Sequence, residues 1–108
     1  MTRIQRRDIM QPMKCGWVYI LASKRDGTIY IGVTSNIHER IWQHKQKQVP
    51  GFTKTYGVDR LVYYEHFNRI ADAIGQEKRL KNWKRVWKTA LIEKENPEWD
   101  DLYEDLGL

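Results

Sequence analysis

Two short stretches near the start of the chain carry a strand pattern. Trp17–Ala22 (WVYILA) and Thr28–Val33 (TIYIGV) are rich in β-branched and aromatic residues and too short for helices. The intervening SKRDG ends in Asp26-Gly27, a hairpin signal. A third strand is predicted over Arg60–Phe67 (RLVYYEHF). Between the second and third strands, SNIHERIWQHKQKQ has helical spacing. Ser35 or Asn36 can cap its start, and Ile37 and Ile41 form its inward stripe. Pro50–Gly57 reads as a loop from its Pro and Gly content. Ile70–Glu95 is helical in pattern, as one helix or two, and Asn96-Pro97 resembles a further helix start. The predicted order is β-β-α-β-α-α, an α+β domain with helices flanking a three-stranded antiparallel sheet. Residues 1–13 are expected to be a flexible basic tail. Residues 14–108 are expected to form one domain, with an acidic helix over 97–106 that carries Trp99, Leu102, Tyr103 and Leu106.

If Asp26-Gly27 is a two-residue turn, Leu21 faces Gly32 and Tyr19 lies across from Thr34. Side chains alternate along a strand, and paired residues share a face. Tyr19, Leu21, Tyr30 and Gly32 then lie on one face. Val18, Ile20, Ile29, Ile31 and Val33 lie on the other, which is the obvious core. The first face carries two phenols beside the space a glycine leaves. Phenols can pass a proton or touch a phosphate, but two rings can equally well just cover a sheet.

The helices add polar groups. Arg40 and His44, four residues apart, share a helix face and flank the Ile37/Ile41 stripe. Arginine suits a phosphate oxygen, and histidine titrates near neutral pH. Glu77 falls near the centre of the apolar stripe formed by Ile70, Ala73, Ile74 and Leu80. A carboxylate there needs a compensating cation. Lys81, one turn on, is one candidate and a divalent metal is the other. Lys78, Arg79, Lys81, Lys84 and Arg85, with Lys88, Trp83 and Trp87, could line a sugar-phosphate backbone or form a solvated outer face. Lys54, in the predicted loop, is a further candidate for binding nucleic acid.

Composition narrows the class. The chain has 108 residues, 41% hydrophobic and 31% charged, and its apolar runs are too short to span a bilayer. Its one cysteine, Cys15, rules out an internal disulfide and a cysteine-based zinc site, and a cytoplasmic location is expected. The net charge of +5 is uneven. Five carboxylates and no Lys or Arg lie in the last thirteen residues, so the first 95 hold 19 basic against 9 acidic side chains, a net +10. Such an excess points to a polyanionic partner, DNA above all, with no membrane and no obligate protein partner evident.

Together these residues resemble the GIY-YIG nuclease superfamily, in particular its small stand-alone bacterial members. WVYIL stands at the first motif and YIGVT is the second. NIHERIWQHK resembles the helix that follows, and EKRLKNW the segment with the metal-binding glutamate. The resemblance spans about residues 15–95. It implies a DNA endonuclease, of the kind used in repair or recombination, that hydrolyses phosphodiester bonds with one Mg²⁺ or Mn²⁺. It assigns Tyr19, Tyr30, Arg40, His44 and Glu77 to the active site and the metal to Glu77. The phenol of Tyr19, its anion favoured by nearby cations, would help activate water, with His44 relaying the proton. The first motif departs from the family pattern: Trp17-Val18-Tyr19 lacks the motif glycine, and Gly16 stands one place early. Asn82 and Asn96 are the two candidates for the family's late asparagine. No appended DNA-binding domain is expected, which leaves substrate choice open. A non-catalytic basic DNA-binding module is the alternative.

Overall fold

A computed structural model describes residues 14–107; the predicted basic tail lies outside them. Strand β1 (Gly16–Ala22) is central. It pairs antiparallel with β2 (Ile29–Thr34) on one side and β3 (Arg60–Phe67) on the other, in the order β2-β1-β3. Six of the seven residues of β1 are buried, which fits its near-continuous apolar run between two covered faces.

The hairpin is wider than Asp26-Gly27 predicts. Ser23 and Thr28 close a four-residue loop, with Ser23 N–H donating to the Thr28 carbonyl at 2.9 Å and Thr28 N–H to Ser23 Oγ at 3.0 Å. Asp26 takes the left-handed conformation, at φ 59°, but Gly27, which a two-residue type I′ turn would also place there, does not. The register therefore slips by two residues. Tyr19 pairs with Gly32 and Leu21 with Tyr30. An even slip preserves which face each side chain occupies, so the predicted sorting of residues stands.

Strand β3 carries a bulge. Ile20 pairs with Tyr63 and Leu21 with Leu61, which leaves Val62 as the extra residue. The freed Val62 carbonyl accepts from the buried Asn96 side chain at 3.1 Å. Asn96 also holds both the N–H and the carbonyl of Asp100, each at 3.0 Å. Asn96 is thereby a structural brace.

Both faces of the sheet are cores. One gathers Val18, Ile20, Ile31 and Val62 with Ala73, Leu80, Ile92 and Trp99. These last four come from α3 (Ile70–Asn82), α4 (Arg85–Glu95) and the turn after α4. The other gathers Tyr19, Leu21, Leu61 and Val58 with Ile37 and Ile41 of α1 (Ile37–Lys45). Asn36 caps α1 by accepting from Glu39 N–H at 3.2 Å. Helices α3 and α4 are separate, broken at Trp83 and Lys84, whose ψ of 153° is extended.

Two expectations are revised. The Pro50–Gly57 segment contains a short helix, α2 (Phe52–Tyr56), bracketed by Gly51 and Gly57 at φ 100° and 63°. After Asn96 the chain forms a tight turn and then a 3₁₀ helix, Leu102–Leu106, in place of a helix over 97–106. The turn buries Trp99 completely, with its indole N–H donating to Glu93 at 2.7 Å. The acidic segment ties down through Arg25–Glu98 and Lys45–Asp101 ion pairs.

Candidate active site

Gly32 governs where the first tyrosine goes. A Cβ at this position would lie 2.4 Å from the Tyr19 Cζ and hydroxyl. The space left by the glycine is therefore filled by the phenol paired with it, and is not an open gap. Helix α1 closes over the same face, so Tyr19 is only 1% exposed. Tyr30, the neighbouring phenol, is half-buried with its ring 6.4 Å from that of Tyr19.

Helix α1 brings His44 to both rings, 5.8 Å from Tyr19 and 5.7 Å from Tyr30 between centroids. Its Nε2 lies 3.1 Å from the Tyr19 hydroxyl. Its Nδ1 lies 3.1 Å from the hydroxyl of Thr53, a buried residue on α2. Burial, then the charge of Arg40, holds the His44 pKa down to about 4 from 6.5, against a smaller opposing pull from Asp59. The imidazole is neutral at pH 7, with one donor and one acceptor nitrogen. The two contacts join Tyr19, His44 and Thr53 in one buried chain, and the tautomer protonated on Nδ1 would take the phenol's donation at Nε2 and donate to Thr53. Thr53 was not singled out in the sequence, where Pro and Gly around it signalled only a loop.

The expectation that cations favour the Tyr19 phenolate is reversed. Burial raises the Tyr19 pKa well above its ordinary 10.0; Tyr30 and Glu77 push the same way, and Arg40's charge and hydrogen bond oppose them without prevailing. In the resting protein the Tyr19 phenol keeps its proton. Arg40 is half-buried beside it and lines a concave surface with Thr34, Ser35, Asn36 and Gln43.

Glu77 belongs to α3, which packs on the opposite face of the sheet. Strand β2 is one of the two edge strands, and α3 packs against it. The Glu77 charge acts on Tyr19, and its partner Lys81 lines one cleft with Tyr30, Ile29, Ile31 and Phe52. The carboxylate is therefore within electrostatic reach of Tyr19. Its side chain is 13% exposed, and Lys81 Nζ sits 2.8 Å from Oε2. The lysine is thus the compensating cation in this state. A lone carboxylate suits Mg²⁺, which keeps several waters and completes its shell with substrate phosphates. No cluster of three His, Cys, Asp or Glu able to hold a metal occurs among the described residues.

The basic candidates separate. Lys54, Lys78, Arg79, Lys81, Lys84 and Arg85 are all exposed. Arg85 donates to the Gly27 carbonyl at 2.8 Å and lies over the Trp99 ring, pinning the hairpin to α4. Arg79 is held by Gln76 and Lys84 lies over Trp87. Lys81 borders the cleft beside Glu77, joined by Lys88. Asn82 bonds the Lys78 carbonyl at 3.1 Å and Asn96 is committed to the bulge, so neither joins the phenol cluster.

The GIY-YIG catalytic domain matches residues 15–90. The chain belongs to the GIY-YIG family. It is 34% identical over 76 residues to the UPF0213 protein of Staphylococcus saprophyticus, covering 70% of this chain and 92% of that one. The UPF0213 protein of Syntrophus aciditrophicus is 34% identical over 87 residues, 80% of this chain and 98% of its own. The solution NMR structure of the UPF0213 protein of Bacillus halodurans superposes with a TM-score of 0.51 at 28% identity, over 81% of this chain and 92% of that one. GIY-YIG membership implies nuclease-type activity, and nucleases of this family generally use a divalent metal. The absent first-motif glycine has a local explanation. Gly16 sits where a Cβ would meet Ala73 and Ile70 at 2.9 Å, so it lets α3 approach the sheet, while Trp17 packs on His66 and Tyr64. No helix among the described residues is long and apolar enough to cross a membrane.

Proposed function

We propose that this GIY-YIG protein is an endonuclease that hydrolyses phosphodiester bonds in DNA, with Tyr19, Tyr30, Arg40, His44 and Glu77 as its catalytic set. The observation that carries the reading is the buried hydrogen bond between the Tyr19 phenol and a neutral His44. A water held against the Tyr19 oxygen gives up a proton to it as the phenol's own proton passes to His44 Nε2. The resulting hydroxide attacks phosphorus, the P–O bond to the leaving oxygen breaks, and His44 is left as imidazolium with Nδ1–H still on Thr53. A bare phenolate is never formed, which removes the obstacle of a raised phenol pKa. Arg40 stabilises charge on the phosphate oxygens, and Tyr30 orients the water or the phosphate. Glu77 would hold a Mg²⁺ or Mn²⁺ ion, whose chemistry is polarisation of the phosphate and stabilisation of the leaving oxygen.

The test is purified protein with Mg²⁺ or Mn²⁺ on plasmid, single-stranded and branched DNA. Cleavage is expected and is lost in Glu77→Ala, Arg40→Ala and Tyr19→Phe. Activity that persists in all three refutes the scheme. A second reading, a basic DNA-binding module without turnover, is favoured by the Lys81–Glu77 pair, which already neutralises the carboxylate. Salt-sensitive binding with no cleavage on any substrate selects it.

A further inference from the structure

Beside the phenols lies an aromatic surface that the proposed chemistry does not use. Phe52 and Tyr56, one turn apart on α2, are 45% and 59% exposed. Their ring centroids are 4.8 Å apart, and Phe52 in turn stacks on Tyr30, 6.4 Å away and within 27° of parallel. Tyr30, Phe52 and Tyr56 therefore form a continuous shelf leading from the site to solvent. Core packing does not account for it, because Val58 and Thr53 are the residues of this region that are buried inward.

The shelf is bordered by cations. Phe52 and Tyr30 line a cleft of about 260 Å³ together with Lys81 and Lys88, and Lys54 stands exposed on the same helix as Phe52 and Tyr56. Flat rings flanked by lysines match a base attached to a phosphodiester backbone, with the ring stacking and the phosphates meeting the ammonium groups. A paired base inside a duplex has both of its faces covered by its neighbours and cannot stack on a protein ring without leaving the helix. We propose that Phe52 and Tyr56 bind unpaired nucleobases, so that the protein selects a single-stranded DNA segment next to the scissile phosphate. This rests on DNA being the substrate of the same site, and it specifies the form that DNA takes.

The experiment measures equilibrium binding in EDTA, where no cleavage occurs. The probes are a fluorescently labelled oligothymidine and a blunt duplex of equal length. The wild-type protein is expected to prefer the single strand. Phe52→Ala lowers single-strand affinity by about tenfold, the loss of roughly one base–aromatic stack, and leaves duplex affinity within about twofold. Phe52→Trp restores the single-strand affinity, and 2-aminopurine placed in the strand has its fluorescence quenched by the wild type and not by Phe52→Ala. Lys88→Gln weakens both probes alike and makes the salt slope shallower by about one. Equal affinity for the two probes, no binding of the single strand, or a Phe52→Ala variant that loses both probes equally or neither, overturns the assignment. Because no metal is present, these outcomes are independent of the cleavage assay, which alone decides whether the protein is a nuclease.

Discussion

Each face of the sheet packs a tyrosine whose phenol is hard to ionise, fully buried at Tyr19 and partly buried at Tyr63. Tyr19 lies under α1, and Tyr63 on the opposite face packs against the core beneath α3 and α4. Burial is the largest cause of the raised pKa at both. The partners differ. Tyr63 donates to Glu65 at 2.8 Å, and the Glu65 hydrogen bond and charge raise its pKa further. Removing that proton would place two anions side by side. Tyr19 is hydrogen-bonded to a neutral imidazole, which can take a proton without placing two anions side by side. Burial alone therefore does not make a phenol reactive. The chemistry at Tyr19 comes from the base it leans on.

The largest expected effect sharpens this contrast. Tyr19→Phe lowers the cleavage rate by about 10²- to 10⁴-fold, the range for losing a proton-transfer group. Tyr63→Phe removes a half-buried hydroxyl whose pKa is also raised and leaves the rate within about twofold, measured on one substrate under identical metal and salt. Equal losses from both would mean that the faces are not functionally distinct.

Next comes Gly32→Ala. Its methyl group would occupy the place of the Tyr19 Cζ and hydroxyl, so the ring must move off His44. The expected cost is about 1–3 kcal/mol of stability by denaturant titration, with cleavage falling far more than folding. The same chemical change at exposed Gly107, which has nothing within 4 Å of an added Cβ, meets no such clash; its φ of 70° adds only local strain.

A smaller effect is expected at Thr53. Thr53→Val strands the imidazole Nδ1–H and favours the tautomer that cannot accept from Tyr19. Activity should drop by about five- to tenfold, the worth of one hydrogen bond, and Thr53→Ser should restore it. Thr53→Val and Thr53→Ser variants of equal activity would reduce Thr53 to a packing residue.

Much of this contrast was legible in the chain. Alternation along WVYILA and TIYIGV sorted the phenols from the aliphatic side chains. It survived an error in the turn because the register slipped by two residues and not by one. The turn itself was not legible: Asp26 in the left-handed region and the Ser23 hydroxyl bond set its length, and neither is implied by Asp-Gly alone. Glu77 stood out as a carboxylate on an apolar stripe, but its nearness to Tyr19 depends on strand order, a tertiary fact. Thr53 escaped notice because its helix is five residues long and its partner lies nine residues away. The direction of the Tyr19 pKa was misread because nearby cations can be counted in a sequence, whereas the burial that outweighs them comes from α1 closing over Gly32.

The account stands on the state of His44. With its pKa at about 4, the ring stays neutral in the folded protein between pH 4 and 6.5, where the unfolded chain binds a proton. Its contribution to stability is therefore complete above pH 6.5 and drains away as the pH falls towards 4. The direct measurement is a ¹⁵N NMR titration of the His44 ring. The predicted result is a neutral imidazole protonated on Nδ1, titrating near pH 4 and losing that tautomer preference in Tyr19→Phe. A ring that titrates near 6.5, or carries its proton on Nε2, would contradict the relay.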